Sequence, residues 1–293
     1  MRLRALAPAK VNLSLFLGGT REDGRHRLVT LFESLSLADE LALELGDGVD
    51  EVVCPGVEGE NLAARALAGL RERGWDAPPV RVRIAKHIPV AAGMAGGSAD
   101  AAATLRLAMA LAPGRPEEVD ALAAELGADV PGQLLPGLSV GTGAGELIEH
   151  FEPLPGHAFV VLPSPFQLST PDVFREADRL GLPRSDAELE RLYGALVSAL
   201  APDPRLPEEL LVNDLEPAAV SLCPWCAEAL DALRGAGAEH AMVSGSGPTV
   251  VGIWWGQGAA GRASSAAQAL REDHPRALGA EPVTADYAAA SLT

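Results

Sequence analysis

The chain has 293 residues, enough for one large core or two modest ones, and ordinary domain sizes favour two. Apolar residues make up 48%, and the 31 glycines and 23 prolines are scattered as punctuation rather than gathered in one block, which marks a globular chain. A formal charge of −17 sets the surface against nucleic acid and anionic membranes, so an anionic ligand would need a local device to hold it.

The opening MRLRALAPAKVNLSLFL places arginines before an apolar stretch, but Lys10, Asn12 and Ser14 interrupt that stretch, so no signal peptide is expected. Residues 2–17 are predicted as a strand or two with Pro8 interrupting, Asp23-Gly24 as a turn, and 28–45 as a second extended run. Residues 60–74 show helical spacing and stop at Gly74, while 79–89 alternate as a half-buried strand ended by Pro89. The stretch GMAGGSADAAATL (93–105) follows, with helices predicted over 98–112 and 116–126, the latter closed by Gly127.

A second half is expected to open with a strand over 157–165. Helices are predicted near 171–180, 186–200 and 224–236, then strand, glycine turn and strand over 240–255, and a last helix over 260–271. Strands and helices mix without strict βαβ alternation or a fixed repeat, which predicts the α+β class, divided into domains 1–154 and 155–293. No run approaches the roughly 20 apolar residues that span a bilayer. Three cysteines in a long chain argue against a disulfide framework and for a cytoplasmic protein.

The glycine-rich stretch resembles a phosphate cradle without the lysine of a Walker A loop. Gly93, Gly96 and Gly97 permit positive φ and close backbone approach, and Ser98 stands where an N-cap is expected. A helix opening there would offer free N–H groups and a positive dipole end to an anion. A plain strand-to-helix turn with a capping serine accounts for the same residues. Lys10 and Asn12 fall on one face of an extended segment, either as a solvated edge or as a functional pair. Asp129, between a helix terminator and Pro131, either caps the next turn or stands at a loop mouth as a general base. VSGSGPT (243–249) and VNDLE (212–216) read locally as a turn and a cap. Cys223 and Cys226 have the spacing of a zinc or redox pair, but no second such pair exists and no metal site is expected. Only two lysines, Lys10 and Lys86, stand among 21 arginines.

Taken in order, PAKVNLSL, REDGRHRLVTLFESLSLADEL, ENL, IPVAAGMAGGSADAAA, LGADVP, STPDVF, NDLE and SGSGPTVVG resemble the GHMP kinase superfamily. Within it they resemble the 4-diphosphocytidyl-2-C-methyl-D-erythritol kinases of the non-mevalonate isoprenoid pathway. The resemblance implies an α+β kinase with a ribosomal-protein-S5-domain-2-like first half and a ferredoxin-like second half, binding ATP and Mg²⁺ in the cleft between them. It implies Lys10 and Asp129 as the catalytic pair. It implies Asn61, Leu62, Pro89, Ala92, Gly93, Met94, Ala95, Gly96, Gly97 and Ser98 on the nucleotide side. Asn12, Arg25, His26, Thr170, Phe174 and Gly245 fall on the substrate side. Arg25 occupies a position where the family usually carries an aromatic ring. A guanidinium plane can also stack on a base. The substrate is expected to be a small molecule, with no nucleic acid or membrane partner, and the protein a monomer or weak homodimer. Other GHMP kinases acting on homoserine, mevalonate or a sugar, and a non-catalytic ATP-binding regulator, remain open at this level.

Overall fold

The structure, a computed structural model, describes residues 2–57, 59–89, 93–201 and 206–292. Two long strands, β1 (Arg2–Thr20) and β2 (His26–Leu45), form an antiparallel hairpin that is the spine of the first sheet. Pro8 does not break β1. The register shifts between Pro8 and Lys10, so the residue with no N–H sits at an irregularity of the ladder. A second shift falls between Asn12 and Ser14.

After β3 (Glu51–Val53) and α1 (Leu62–Glu72) comes β4 (Val80–Ala85), parallel to β3 and antiparallel to the Glu40–Leu45 end of β2. β4 ends before the predicted limit because the next backbone N–H groups turn to a side chain: Asp39 Oδ1 accepts from His87 and Ile88. Two helices follow, α2 (Gly96–Leu111) and α3 (Pro116–Leu126), then a short α4 (Val130–Leu134). β5 (Leu138–Thr142) pairs with Thr30–Glu33 of β2, and β6 (Leu147–Phe151) pairs with β5. α2 buries Ala99, Ala101, Ala102, Ala103, Leu105, Leu107 and Ala108, and its many alanines let the sheet and two helices close on it. A Cβ at Gly69 would lie 2.5 Å from Leu122 Cδ1, so α1 and α3 approach through a glycine.

The second sheet runs β10-β7-β9-β8, all antiparallel: β7 (His157–Leu162), β8 (His240–Val243), β9 (Val250–Trp255) and β10 (Leu278–Ala280). Between β7 and β8 run α5 (Thr170–Leu180), α6 (Asp186–Ala199), α7 (Glu216–Leu222) and α8 (Trp225–Gly235), with α9 (Ala259–Leu270) after β9. β11 (Ser291–Leu292) returns to pair with β1 in the first sheet.

Each half has a core of its own, and a further cluster joins the two. Val11, Leu13, Phe16, Leu31 and Leu35 from the hairpin pack in the same cluster as Phe159, Val161, Met242, Val251 and Ile253. Within it His157 Nε2 lies 2.8 Å from Glu33 Oε2, with the two side chains 0% and 2% exposed. His157 Nδ1 is 2.9 Å from the Pro155 carbonyl oxygen. Both ring nitrogens therefore face acceptors. Burial pulls the imidazolium pKa down, but Glu33 and the Pro155 carbonyl hold it above the ordinary histidine value.

Candidate active site

A cleft of about 560 Å³ opens where α2 begins. Ala95 caps α2 in the left-handed region, φ 54°, with no side-chain cap, and the helix starts at Gly96. Ser98 is thus the third helical residue rather than the cap, and the first N–H groups of the helix have no intrahelical acceptor. The glycines also work differently from expectation. Among them only Gly93 takes a positive φ, 76°, and a Cβ there would strike the Gly247 carbonyl oxygen at 2.5 Å, so the two glycine turns of the chain touch at this point. Gly96 and Gly97 are helical, and Gly96 gives space instead: a Cβ would lie 3.1 Å from Ile88 Cγ2 and 3.3 Å from Lys86 Nζ.

In the same cleft as the helix entrance, Lys10 Nζ lies 3.4 Å from Asp129 Oδ1 and donates to Asn12 Oδ1 at 2.9 Å. The ammonium also stands 4.9 Å from the centre of the Phe32 ring. β1 places Lys10 and Asn12 on one face, as the period of two requires, and the Lys10 N–H ties the strand to the loop through the Met94 carbonyl at 3.2 Å. Asp129 precedes α4 without capping it, so its carboxylate stays open to the cleft, 38% exposed.

Lys86 supplies a second cationic centre beneath the loop. It bridges Asp39 and Asp100, the latter at 2.7 Å, and all three side chains are largely buried. Burial pulls the Lys86 ammonium down, but Asp100 and Asp39 outweigh it and raise its pKa above the ordinary lysine value. Burial pushes the Asp100 carboxyl up to about 7 against the pull of Lys86. The sequence signal for this triad was the rarity of lysine; its carboxylate partners, one on β2 and one on α2, carried none.

The family models decide the wider relationship. One described as "GHMP kinases N terminal domain" matches residues 61–137, and one described as "GHMP kinases C terminal" matches residues 195–272. The chain belongs to the GHMP kinases. It is 43% identical over 266 residues to the 4-diphosphocytidyl-2-C-methyl-D-erythritol kinase of Streptomyces coelicolor, covering 85% of this chain and 86% of that protein. It is 44% identical over 262 residues to the enzyme of the same name from Thermobifida fusca, covering 83% of each. A crystal structure titled 4-(cytidine 5'-diphospho)-2C-methyl-D-erythritol kinase superposes with a TM-score of 0.75 at 35% identity, covering 95% of this chain and 98% of the other. A homoserine kinase from Cytophaga hutchinsonii shares the fold at a TM-score of 0.72 and 19% identity, over 99% of this chain and 97% of that one.

In this GHMP kinase the cleft wall gathers most of the residues singled out in the sequence. Asn61, Leu62, Pro89, Gly93, Met94, Ala95, Gly96, Gly97 and Ser98 line it, together with Cys54, Val57 and Glu60. Ala92 lies outside the described residues. Asn61 caps α1, its Oδ1 accepting from Ala63 N at 2.8 Å. Asn12, Thr170, Phe174 and Gly245 line the same cleft as Lys10 and Asp129. Thr170 Oγ1 is 3.0 Å from Ser246 Oγ, joining the start of α5 to the second glycine turn.

Two expected residues stand apart from that wall. His26 is buried behind it, its ring stacked on Phe174 at 5.2 Å, with Nδ1 2.9 Å from the Gly18 carbonyl oxygen and Nε2 3.3 Å from Asp178. Arg25 is not part of the cleft lining, because the tight turn before β2 directs its guanidinium to Asp23 at 3.4 Å and leaves the side chain 57% exposed.

VNDLE does more than cap a helix. Asn213 Nδ2 donates to the Val243 and Gly245 carbonyls, each at 2.7 Å, and its Oδ1 accepts from Leu215 N, so one buried amide holds the second glycine turn. Asp214 accepts from Leu17 N and from both arms of the Arg184 guanidinium. Cys223 and Cys226 are buried, and burial beside Cys223 pushes the Cys226 thiol up to about 12, which leaves it protonated. Among the described residues no group of His, Cys, Asp and Glu is placed to hold a metal, and no helix is long and apolar enough to cross a membrane.

Proposed function

We propose that this kinase transfers the γ-phosphoryl group of ATP to the 2-hydroxyl of 4-diphosphocytidyl-2-C-methyl-D-erythritol, giving the 2-phosphate and ADP in isoprenoid precursor synthesis. The observation that carries the reading is the Lys10–Asp129 pair, 3.4 Å apart in the cleft that the entrance of α2 also lines. An acid and an amine there share the cleft with a helix N-terminus of the kind that grips phosphates. The names of the relatives supply the substrate.

Phosphoryl transfer asks little covalent work of the protein; positioning and charge stabilisation dominate. Asp129 accepts the proton of the substrate hydroxyl. Lys10 holds the Asp129 carboxylate in place and stabilises charge on the attacking oxygen. The backbone N–H groups of Gly96, Gly97 and Ser98 bind phosphate oxygens. Asn61 and Leu62 flank the adenine, while Asn12, Thr170, Phe174 and Gly245 hold the acceptor, with His26 bracing the Phe174 ring from behind. Mg²⁺ keeps most of its water and needs only one or two carboxylates besides phosphate oxygens. Ser98, in the cleft wall at the helix entrance, would supply an oxygen ligand beside the phosphate oxygens, leaving Asp129 to act as the base. When bound with ATP the ion neutralises charge on the transferring phosphates.

We place the domain division at 154/155, with the cleft between the halves, and read the protein as a cytoplasmic enzyme acting as a monomer or weak homodimer. Incubation with ATP, Mg²⁺ and diphosphocytidyl-methylerythritol is expected to yield ADP and a product heavier by one phosphate. No product there, with turnover on homoserine, mevalonate or a sugar, would replace the substrate. Nucleotide binding with no turnover on any alcohol would remove the catalytic reading.

A further inference from the structure

We propose that Thr30, a residue with no part in the reading above, is a positioning residue for Lys10, and that it acts by dictating which end of the Asn12 amide faces the ammonium. The inference rests on the kinase reading for its kinetic consequence and on geometry alone for the rest.

The hydrogen bonds run in one direction. Thr30 Oγ1 donates to the Ser14 carbonyl at 2.7 Å, where the register of β1 shifts between Asn12 and Ser14. A hydroxyl has one proton, so with that proton committed Thr30 Oγ1 can only accept from its other neighbour. That neighbour is the Asn12 side chain at 2.7 Å, which must present its Nδ2. The amide oxygen is thereby turned to the other side, where Lys10 Nζ donates to it at 2.9 Å. Were the amide reversed, its NH₂ would face the ammonium and its oxygen would face the lone pairs of Thr30, two mismatches in a buried site.

Two packing contacts hold the arrangement. Thr30 is 0% and Asn12 2% exposed, so water does not substitute for a lost partner. A Cβ at Gly141 would lie 3.2 Å from Thr30 Cγ2, so the methyl packs against β5 and the rotamer that aims Oγ1 at Asn12 is set from behind. The Asn12 backbone N–H is tied at 3.2 Å to Ser244 Oγ in the second half, and a Cβ at Gly245 would stand 3.0 Å from Asn12 Oδ1. The amide therefore has one pose, and Thr30 chooses its polarity.

The test uses Thr30→Val, which keeps the shape and removes the hydroxyl, beside Thr30→Ser, which keeps the hydroxyl and removes the methyl. Thr30→Val is expected to lower kcat by about ten- to a hundredfold, with KM for ATP within about twofold, because the hydrogen bond that orients Asn12 toward the Lys10 ammonium is lost. Thr30→Ser is expected to stay within about threefold of the parent. Because the chain has only two lysines, a spectrum of protein labelled at lysine Cε shows two resonances, that of Lys10 identified by its loss in Lys10→Arg. Thr30→Val should move the Lys10 resonance and leave Lys86 in place, and Thr30→Ser should leave both. An unmoved Lys10 resonance in Thr30→Val, or a Thr30→Ser variant as impaired as Thr30→Val, overturns the proposal. The spectrum reads the amide's polarity even if the parent proves inactive on the diphosphocytidyl substrate, so failure of the kinase reading is seen separately.

Discussion

The two lysines of this chain sit in two buried acidic settings that end differently. Lys86 lies between Asp39 and Asp100, whose side chains are 0% and 5% exposed, and is itself only 13% exposed where the triad borders the cleft. Among the described residues Lys10 has a single carboxylate partner, Asp129, which is 38% exposed and whose side chain does not cap its helix. Closed pairing makes the first a fastening between β2, α2 and the loop above them. An open carboxylate beside a held ammonium makes the second a place where a proton can be exchanged with a ligand.

That contrast predicts opposite signatures on substitution. The largest effect is expected from Asp129→Asn: turnover falls by about 10² to 10⁴, the usual worth of a general base, while the thermal midpoint and ATP affinity stay near those of the parent. A variant with parental turnover would take Asp129 out of the mechanism. Lys86→Met should do the reverse, leaving two buried carboxylates without their cation at a cost of about 3–5 kcal/mol in unfolding free energy, read by denaturant titration. Unchanged stability would mean that the triad fastens nothing.

A smaller and intermediate effect is expected from Asn213→Ala, which belongs to neither lysine site but holds the turn that packs on Asn12. Two buried carbonyls, those of Val243 and Gly245, lose their donor, so a loss of about 1–3 kcal/mol should accompany a raised KM for the acceptor. Steady-state kinetics with each substrate varied separates this from a change on the ATP side.

The smallest effect concerns pH. His157 has a folded-state pKa above its ordinary value, so its contribution to stability is fully present below about 6.5 and is lost as pH rises through the raised folded value. Thermal midpoints across that range should fall on the alkaline side, and His157→Gln should flatten that fall while lowering stability at pH 6.

Much of this was legible beforehand where a local rule suffices. Helical spacing and Gly74 located α1, Gly127 closed α3, and two apolar runs around a glycine turn over 240–255 located β8 and β9. The short strands β3, β5, β10 and β11 escaped because a strand of two to five residues has too few alternations to declare a face; its partner makes it. The start of α2 was misplaced by two residues because Ala95, not a polar cap, takes the left-handed turn. Arg25, expected on the substrate side, pairs with the neighbouring Asp23 outside the lining of the cleft.

By itself the sequence determined that the chain is acidic and globular, that it carries a glycine-rich helix entrance, and that Lys10 shares a strand face with Asn12, since composition and period are local properties. Only the tertiary structure decided that Asp129 meets Lys10, that Lys86 bridges Asp39 and Asp100, and that Gly93 touches Gly247. Those pairings join residues tens to more than a hundred positions apart, and their energies depend on burial and partner distance, which arise only when separate strands and helices close on a common core.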